Sequence, residues 1–195
     1  MYAVFERALR DVCLIQDTPP LIEIDDIDSF ADVASVSHDQ VARLSYPLQI
    51  AEDYVKAGLH EILGEPFQTP HSPAELSDIN TSTVVLGGRR LRGAFLLKGP
   101  GLGKAMMQVR DLGTQANQIV KLSRSEAQLM VVQFVGQIAE DVVTHLRQAI
   151  VDQRLSGNDA VGSVWNGSDT ARLLVARGWL DVKTGAYSGP TSIGG

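Results

Sequence analysis

The stretch VVLGGRRLRGAFLLKGPGLG, from Val84 to Gly103, constrains this chain more than any other. Val84-Val85-Leu86 is an apolar, largely β-branched run, and Gly87-Gly88 accepts the positive φ angles of a two-residue hairpin turn. Arg89 to Lys98 then reads as the returning strand. Strand side chains alternate, so Ala94, Leu96 and Lys98 share one face while Phe95 and Leu97 take the other. An ammonium therefore closes an apolar strand, where it either snorkels to water or serves a site.

The flanking sequence falls into an α/β order within one expected domain. Met1–Leu14 carries Phe5, Leu9 and Val12 at helical spacing, and Pro19-Pro20 ends that pattern. Leu21–Ile27 alternates apolar and acidic residues and predicts an edge strand. Ser45–Leu63 predicts the best helix, with Ser45 as cap, Pro47 in the first turn and Gly64 at the exit. Leu48, Ala51, Val55, Leu59 and Ile62 would form its buried stripe, with Glu52 beside it. Residues 104–123 read as helical with an interruption at Gly113, Ile119 and Leu122 facing inward. LMVVQFV, Leu129–Val135, is apolar except for Gln133 and predicts a buried strand. Gln137–Leu155 returns as a helix, Ala160–Trp165 as a strand, and Asp169–Arg177 as a short helix capped by Ser168 and stopped by Gly178.

Charge is unevenly spread. The chain carries −6 overall, yet residues 1–78 hold −11 and residues 89–124 hold +7, with Asp111 the lone acid of that basic segment. Such a segment either attracts an anion or docks on the acidic half of the same chain or of a second copy. A homodimer is expected on that basis. No run is long enough to span a membrane, and a single cysteine, Cys13, leaves no internal disulfide, so a cytoplasmic protein is expected.

Several familiar chemistries are excluded by spacing. GPGLGK, residues 99–104, has one residue too few between its outer glycines for a phosphate-binding P-loop, and Ala105 stands where a hydroxyl should bind magnesium. His38, His60, His71 and His145 show no paired spacing for zinc. The acidic run Glu23-Asp25-Asp26-Asp28 lacks the glycine and spacing of a calcium loop. No Gly-x-Ser-x-Gly elbow occurs.

What remains is an order of residues: Glu52 on a helix, Asp78 entering a hairpin, Lys98 ending its second strand, Gln133 in the next strand. In this order the chain resembles the PD-(D/E)xK nuclease superfamily, the restriction-endonuclease-like fold. EDYVKAGL, Glu52 to Leu59, is similar to the opening helix of Holliday-junction resolvases and Mrr-type enzymes. The resemblance implies a three-layer core over residues 45–155, with a mixed sheet and the order helix, hairpin or meander, helix, strand, helix. Residues 1–44 would be an N-terminal cover, and 156–195 a further strand, short helix and tail. It implies a magnesium- or manganese-dependent DNA endonuclease, with defence against foreign DNA as one role. Asp78 with Glu52 or Glu75 would hold the metal, Lys98 would orient or deprotonate the attacking water, and Gln133 would orient the site. Arg89, Arg90, Arg92, Lys104 and Arg110 would track DNA phosphates. One departure is large: the position two before Lys98, where the family has a carboxylate, is Leu96. Either Glu52, Glu61 or Glu75 supplies it, or the site is a silent nucleic-acid-binding or regulatory one, or the resemblance is accidental. AFLLKGPG, NQIVKL and VVQFVGQI also link Lys98, Asn117, Gln118 and Gln133 as a possible set, since similar stretches recur in uncharacterised prokaryotic proteins.

Overall fold

In the computed structural model, residues 21–65, 77–113 and 117–190 are described. The helix expected over residues 1–14, and Cys13, His71 and Glu75, lie outside them. The strands are β1 (Ile79–Leu86), β2 (Arg89–Lys98), β3 (Met106–Met107), β4 (Leu129–Phe134), β5 (Gln137–Ile138) and β6 (Val161–Trp165). The helices are α1 (His38–Val41), α2 (Glu52–Leu63), α3 (Asn117–Ser123), α4 (Glu140–Leu155) and α5 (Gly167–Ala176). Short 3-10 segments occupy Ile24–Asp26 and Asp28–Ser35.

β1 and β2 form the expected antiparallel hairpin, turning on Gly87 and Gly88 at φ 58° and 71°. β2 then pairs in parallel with β4, and β4 with β6. The result is α/β, a mixed open sheet in the order β1-β2-β4-β6 accompanied by helices. Every residue of β4 is buried, as a strand covered on both faces requires. On one face Phe95 of β2 and Trp165 of β6 meet edge to face at 5.7 Å, and both meet Phe30, at 6.4 and 5.0 Å. On the opposite face α4 lies close above β6. A Cβ on Gly162 would stand 2.5 Å from Ile150 Cδ1, so a larger residue there would push that side chain aside.

Both edges of this sheet are occupied by the N-terminal segment. Beside β6, Leu21 forms a parallel bridge with Gly162, Ile22 N–H donates to the Gly162 carbonyl (2.9 Å), and Ser163 Oγ donates to the Ile22 carbonyl (2.8 Å). Beside β1, the Val85 amide donates to Ser29 Oγ (2.8 Å) and the Thr83 amide to Thr81 Oγ1 (3.1 Å), while the Gly88 amide donates to Asp28 (2.7 Å). The acidic stretch thus lies at an edge as expected, but as one bridge followed by a 3-10 turn. Ile24 and Ile27 are buried three residues apart, a spacing that a 3-10 turn puts on one face and a strand would put on opposite faces.

Three helix expectations, the third being Gln137–Leu155, which starts at Glu140, are shortened for one reason, backbone bonds claimed by distant chain. The Leu48 amide donates to the Val135 carbonyl (2.9 Å), which holds residues 45–50 out of the helix, and α2 starts at Glu52. Val55, Leu59 and Leu63 are its buried stripe, while Ala51 is exposed. In the 104–123 stretch, the Ala105 and Met107 carbonyls accept from the Gln137 and Ala139 amides, pairing β3 with β5. Among the described residues of that stretch α3 is the only α-helix, beside one 3-10 turn at Val109–Leu112, with Ile119 and Leu122 buried as expected.

The last helix is capped by Asn166, not Ser168. Asn166 Oδ1 accepts from the Ser168 and Asp169 amides (2.7 and 3.2 Å), and Asp169 reciprocates on the Asn166 amide (3.1 Å). That box sets two buried charges on α5. The Arg172 guanidinium donates to Asp25 (2.9 Å), to the Val36 carbonyl (2.7 Å) and to His38 Nε2 (3.2 Å), and lies 3.6 Å from Asp169. Burial pushes the Asp25 carboxyl up, but the Arg172 hydrogen bond and charge outweigh it and hold it below its usual value. Burial pushes Asp169 up, against its bond from the Asn166 amide. This cluster ties α5 to the N-terminal cover. Among the described residues no helix is long and apolar enough to cross a membrane.

Candidate functional site

The carboxyl end of β2 opens on a pocket of about 440 Å³ lined by Ala51, Glu52, Lys98, Gly99, Asp111 and Gln118, with Pro100 to Leu102 forming its rim. Crevices beyond the carboxyl ends of parallel strands are where open α/β sheets commonly bind ligands. Lys98 reaches it because the hairpin parity puts it on the Ala94–Leu96 face, as the last residue of its strand. Gly99 follows and packs against the start of α2: a Cβ there would stand 2.8 Å from the Glu52 backbone nitrogen. Its amide donates to Glu52 Oε2 (3.3 Å).

Asp78 is fixed from the other side of the hairpin. Its amide donates to the Phe95 carbonyl (2.9 Å), and its Oδ2 accepts from the Leu97 amide (2.6 Å), extending the ladder by one side chain. Glu52 feels the charges of both Lys98 and Asp78. Burial raises the Glu52 carboxyl above its usual range, the nearby Lys98 ammonium pulls it down, and the Asp78 carboxylate pushes it up again. The Gly99 amide lowers it and Asp53 raises it to lesser degrees. A helix-face glutamate, a pre-hairpin aspartate and a strand-end lysine, more than forty residues apart at the extremes, thus meet at one end of β2.

The raised Glu52 carboxyl has a consequence for stability. Its folded value lies above its unfolded one, so the native state holds the proton more tightly, and stability falls as pH rises through the folded value. At neutral pH the ionised group costs stability. Glu52→Gln, which keeps an oxygen for the Gly99 amide, is expected to raise the thermal midpoint at pH 7 by about 2–4 °C, equivalent to roughly 1 kcal/mol in a chain of this size. The gain should vanish below about pH 4, where Glu52 is protonated in both states. Thermal melts across pH measure it, and a lowered midpoint at pH 7 would contradict it.

Two pocket residues carry signals that motif reading passes over. Asp111, the lone acid of the basic segment, is ion-paired with Lys104 and accepts from the Gln108 amide (2.9 Å). The Lys104 hydrogen bond, then that amide, hold its carboxyl below its usual value. Gln118 places a buried Oε1 at the pocket with no hydrogen-bond partner among the described residues. Its place in NQIVKL was the only sequence hint.

Other expected site residues lie elsewhere. Gln133 is in register with Leu97, so it projects to the face opposite Lys98, where its Nε2 donates to Thr170 Oγ1 of α5 (3.0 Å). It is not brought into the pocket. Arg89, Arg90 and Arg92 are exposed at the start of β2, up to nine residues and therefore about 30 Å from Lys98. Arg92 there pairs with Glu126 (3.2 Å). Lys104 and Arg110 flank Asp111 at the pocket end, so the basic segment is split between two ends of the sheet. Leu96 shares the Lys98 face and is buried. Glu61 is nine helical residues beyond Glu52, about 13 Å along α2, and exposed. Among the described residues no cluster of three or more His, Cys, Asp or Glu suited to a metal occurs, and Glu75 lies outside them.

Comparison with known family models, with curated proteins and with solved structures finds no match for the chain.

Proposed function

We propose that the pocket at the end of β2 is a phosphodiester site, and that the chain is a divergent restriction-endonuclease-like nuclease acting on DNA. The observation that carries this reading is that the Glu52 carboxyl feels both the Lys98 ammonium and the Asp78 carboxylate at one end of the hairpin. The helix–hairpin–helix–strand–helix order around it is compatible with a three-layer core of that kind. The donor set fits a hard divalent cation such as magnesium or manganese, which commonly takes one or two carboxylates and completes its shell with water and substrate phosphate. Glu52 and Asp78 would hold it, each with one carboxylate oxygen engaged by a backbone amide and the other open. Bound there, the ion would acidify water and offset charge on the phosphate. Glu52 stands in for the carboxylate missing at Leu96. Lys98 stabilises the charge gathering on the phosphate and orients the attacking water, in a pocket screened from bulk solvent on one side by the Gly99–Leu102 rim.

The test is incubation of the full chain with supercoiled plasmid and with labelled oligonucleotides, in magnesium or manganese and in chelator. Cleavage is expected with either metal, none with chelator, and none from Asp78→Asn, which retains an oxygen for the Leu97 amide. A second reading, a silent nucleic-acid-binding domain on the same fold, is favoured by the buried Leu96 and the lack of a three-donor cluster among the described residues. It is selected by salt-dependent binding without cleavage. Neither binding nor cleavage would overturn both.

A further inference from the structure

The molecule has a second, larger cavity, of about 740 Å³, between the 39–50 stretch and the turn that follows α5. Its lining combines apolar Leu48 and Ile50 with Arg43, Lys183 and Tyr187, against one carboxylate, Asp39. The turn is built to present the last two. Leu180 bridges antiparallel to Tyr187, Asp181 Oδ1 accepts from the Lys183 and Thr184 amides (2.8 and 2.9 Å), and Gly185 takes φ 69°. Those amides hold the Asp181 carboxyl low, so it stays charged as the turn's anchor.

This cavity and the Lys98 pocket are neighbours across a single peptide. Ile50 lines one and Ala51 the other, consecutive residues about 3.8 Å apart. The first turn of α2 joins them a second time: Tyr54 packs on Tyr187 with ring centroids 5.1 Å apart, and Tyr187 donates its hydroxyl to the Tyr54 carbonyl (3.4 Å). Tyr54 thus backs the half-buried ring of Tyr187, and it is Tyr187 that lines the larger cavity.

Cations in a groove, an open aromatic face and a nucleotide-sized apolar floor are the parts with which proteins hold unpaired nucleic-acid strands. A duplex keeps its base faces stacked and would offer the tyrosine nothing. We propose that this groove is a single-strand subsite, in which Arg43 and Lys183 take backbone phosphates and Tyr187 stacks a base, leading an unpaired strand towards Lys98. The inference rests on reading the Lys98 pocket as a phosphodiester site, and it names the substrate class: single-stranded nucleic acid, or the frayed end of a duplex.

Fluorescence anisotropy on the full chain in chelator tests it, with a fluorescein-labelled oligodeoxynucleotide as single strand and as blunt duplex. The single strand is expected to bind about ten-fold tighter or better, and Tyr187→Leu should erase most of that margin. Arg43→Gln with Lys183→Gln should lower the slope of log affinity against log salt by about 1.4 for the single strand. Equal affinity for both forms, or variants that bind the single strand as the parent does, would overturn the subsite. So would binding of an acidic peptide in place of the oligonucleotide. Because the readout needs no cleavage, the two ideas fail separately. Single-strand binding with no cleavage in magnesium or manganese removes the nuclease reading alone, and duplex cleavage without a single-strand preference removes the subsite alone.

Discussion

Lys98→Met is expected to reduce metal-dependent cleavage by the full chain about 10³-fold while leaving its circular dichroism near that of the parent. The substitution keeps the length and apolar stem that lie along the carboxyl end of β2 and removes only the ammonium. That ammonium is the positive charge whose field the Glu52 carboxyl registers, second only to burial. Removing it does two things at once. It strips the pocket of the charge that would oppose the extra negative charge of an attacked phosphate, and it lifts the Glu52 carboxyl further, leaving it protonated over a wider pH range. The pH–rate profile of any residual cleavage should therefore shift to higher pH. Lys98→Arg keeps a charge but spreads it over a fork too broad for one strand-end position, and is expected to restore little. Undiminished cleavage by Lys98→Met would remove the residue from the mechanism.

The largest stability effect is expected far from that pocket. Arg172→Met should lower the thermal midpoint at pH 7 by about 10 °C, from a loss of roughly 3–5 kcal/mol typical of a broken buried ion pair. The side chain is 5% exposed, and its guanidinium serves Asp25, Asp169, His38 and the Val36 carbonyl together. Methionine fills the volume but leaves the buried Asp169 carboxylate without its cation and the carbonyl without its donor. The deficit has a pH signature. Asp169 is already raised by burial, so without Arg172 it takes up a proton well before other aspartates, and the gap between variant and parent should narrow towards pH 4. A variant melting within a degree or two of the parent at pH 7 would show that the cluster is ornamental.

Much of the fold was legible because local and distant forces agree. Gly87-Gly88 turns the hairpin on chain chemistry alone, Lys98 follows from parity along one strand, and the LMVVQFV run is buried because β4 is central. The shorter α2 was not legible, since it depends on one amide of Leu48 reaching Val135 across 87 positions of sequence. Glu52 and Asp78 stand in the order that suggested them, and the influence of Lys98 and Asp78 on the Glu52 carboxyl needed coordinates to see. Gln133 shows the limit most clearly. Parity fixes faces within a strand, but the side shared with a neighbour depends on register, and β4 pairs so that Gln133 matches Leu97 instead of Lys98. Asp111 was hidden differently. A lone acid among eight cations looks like noise until Lys104 is seen to clamp it at the pocket wall.

The covering of β1 bears on how copies of this chain can meet. The outward amides of Thr83 and Val85 already have acceptors in Thr81 and Ser29, and the turn amide of Gly88 is held by Asp28. A second molecule approaching that half of the strand finds the Thr83, Val85 and Gly88 amides already taken, which disfavours growth of the sheet there by addition. Any pairing at that margin is left to side chains, the projecting Arg89 and Arg90 foremost. Such a contact would loosen with added salt, whereas a shared ladder would not.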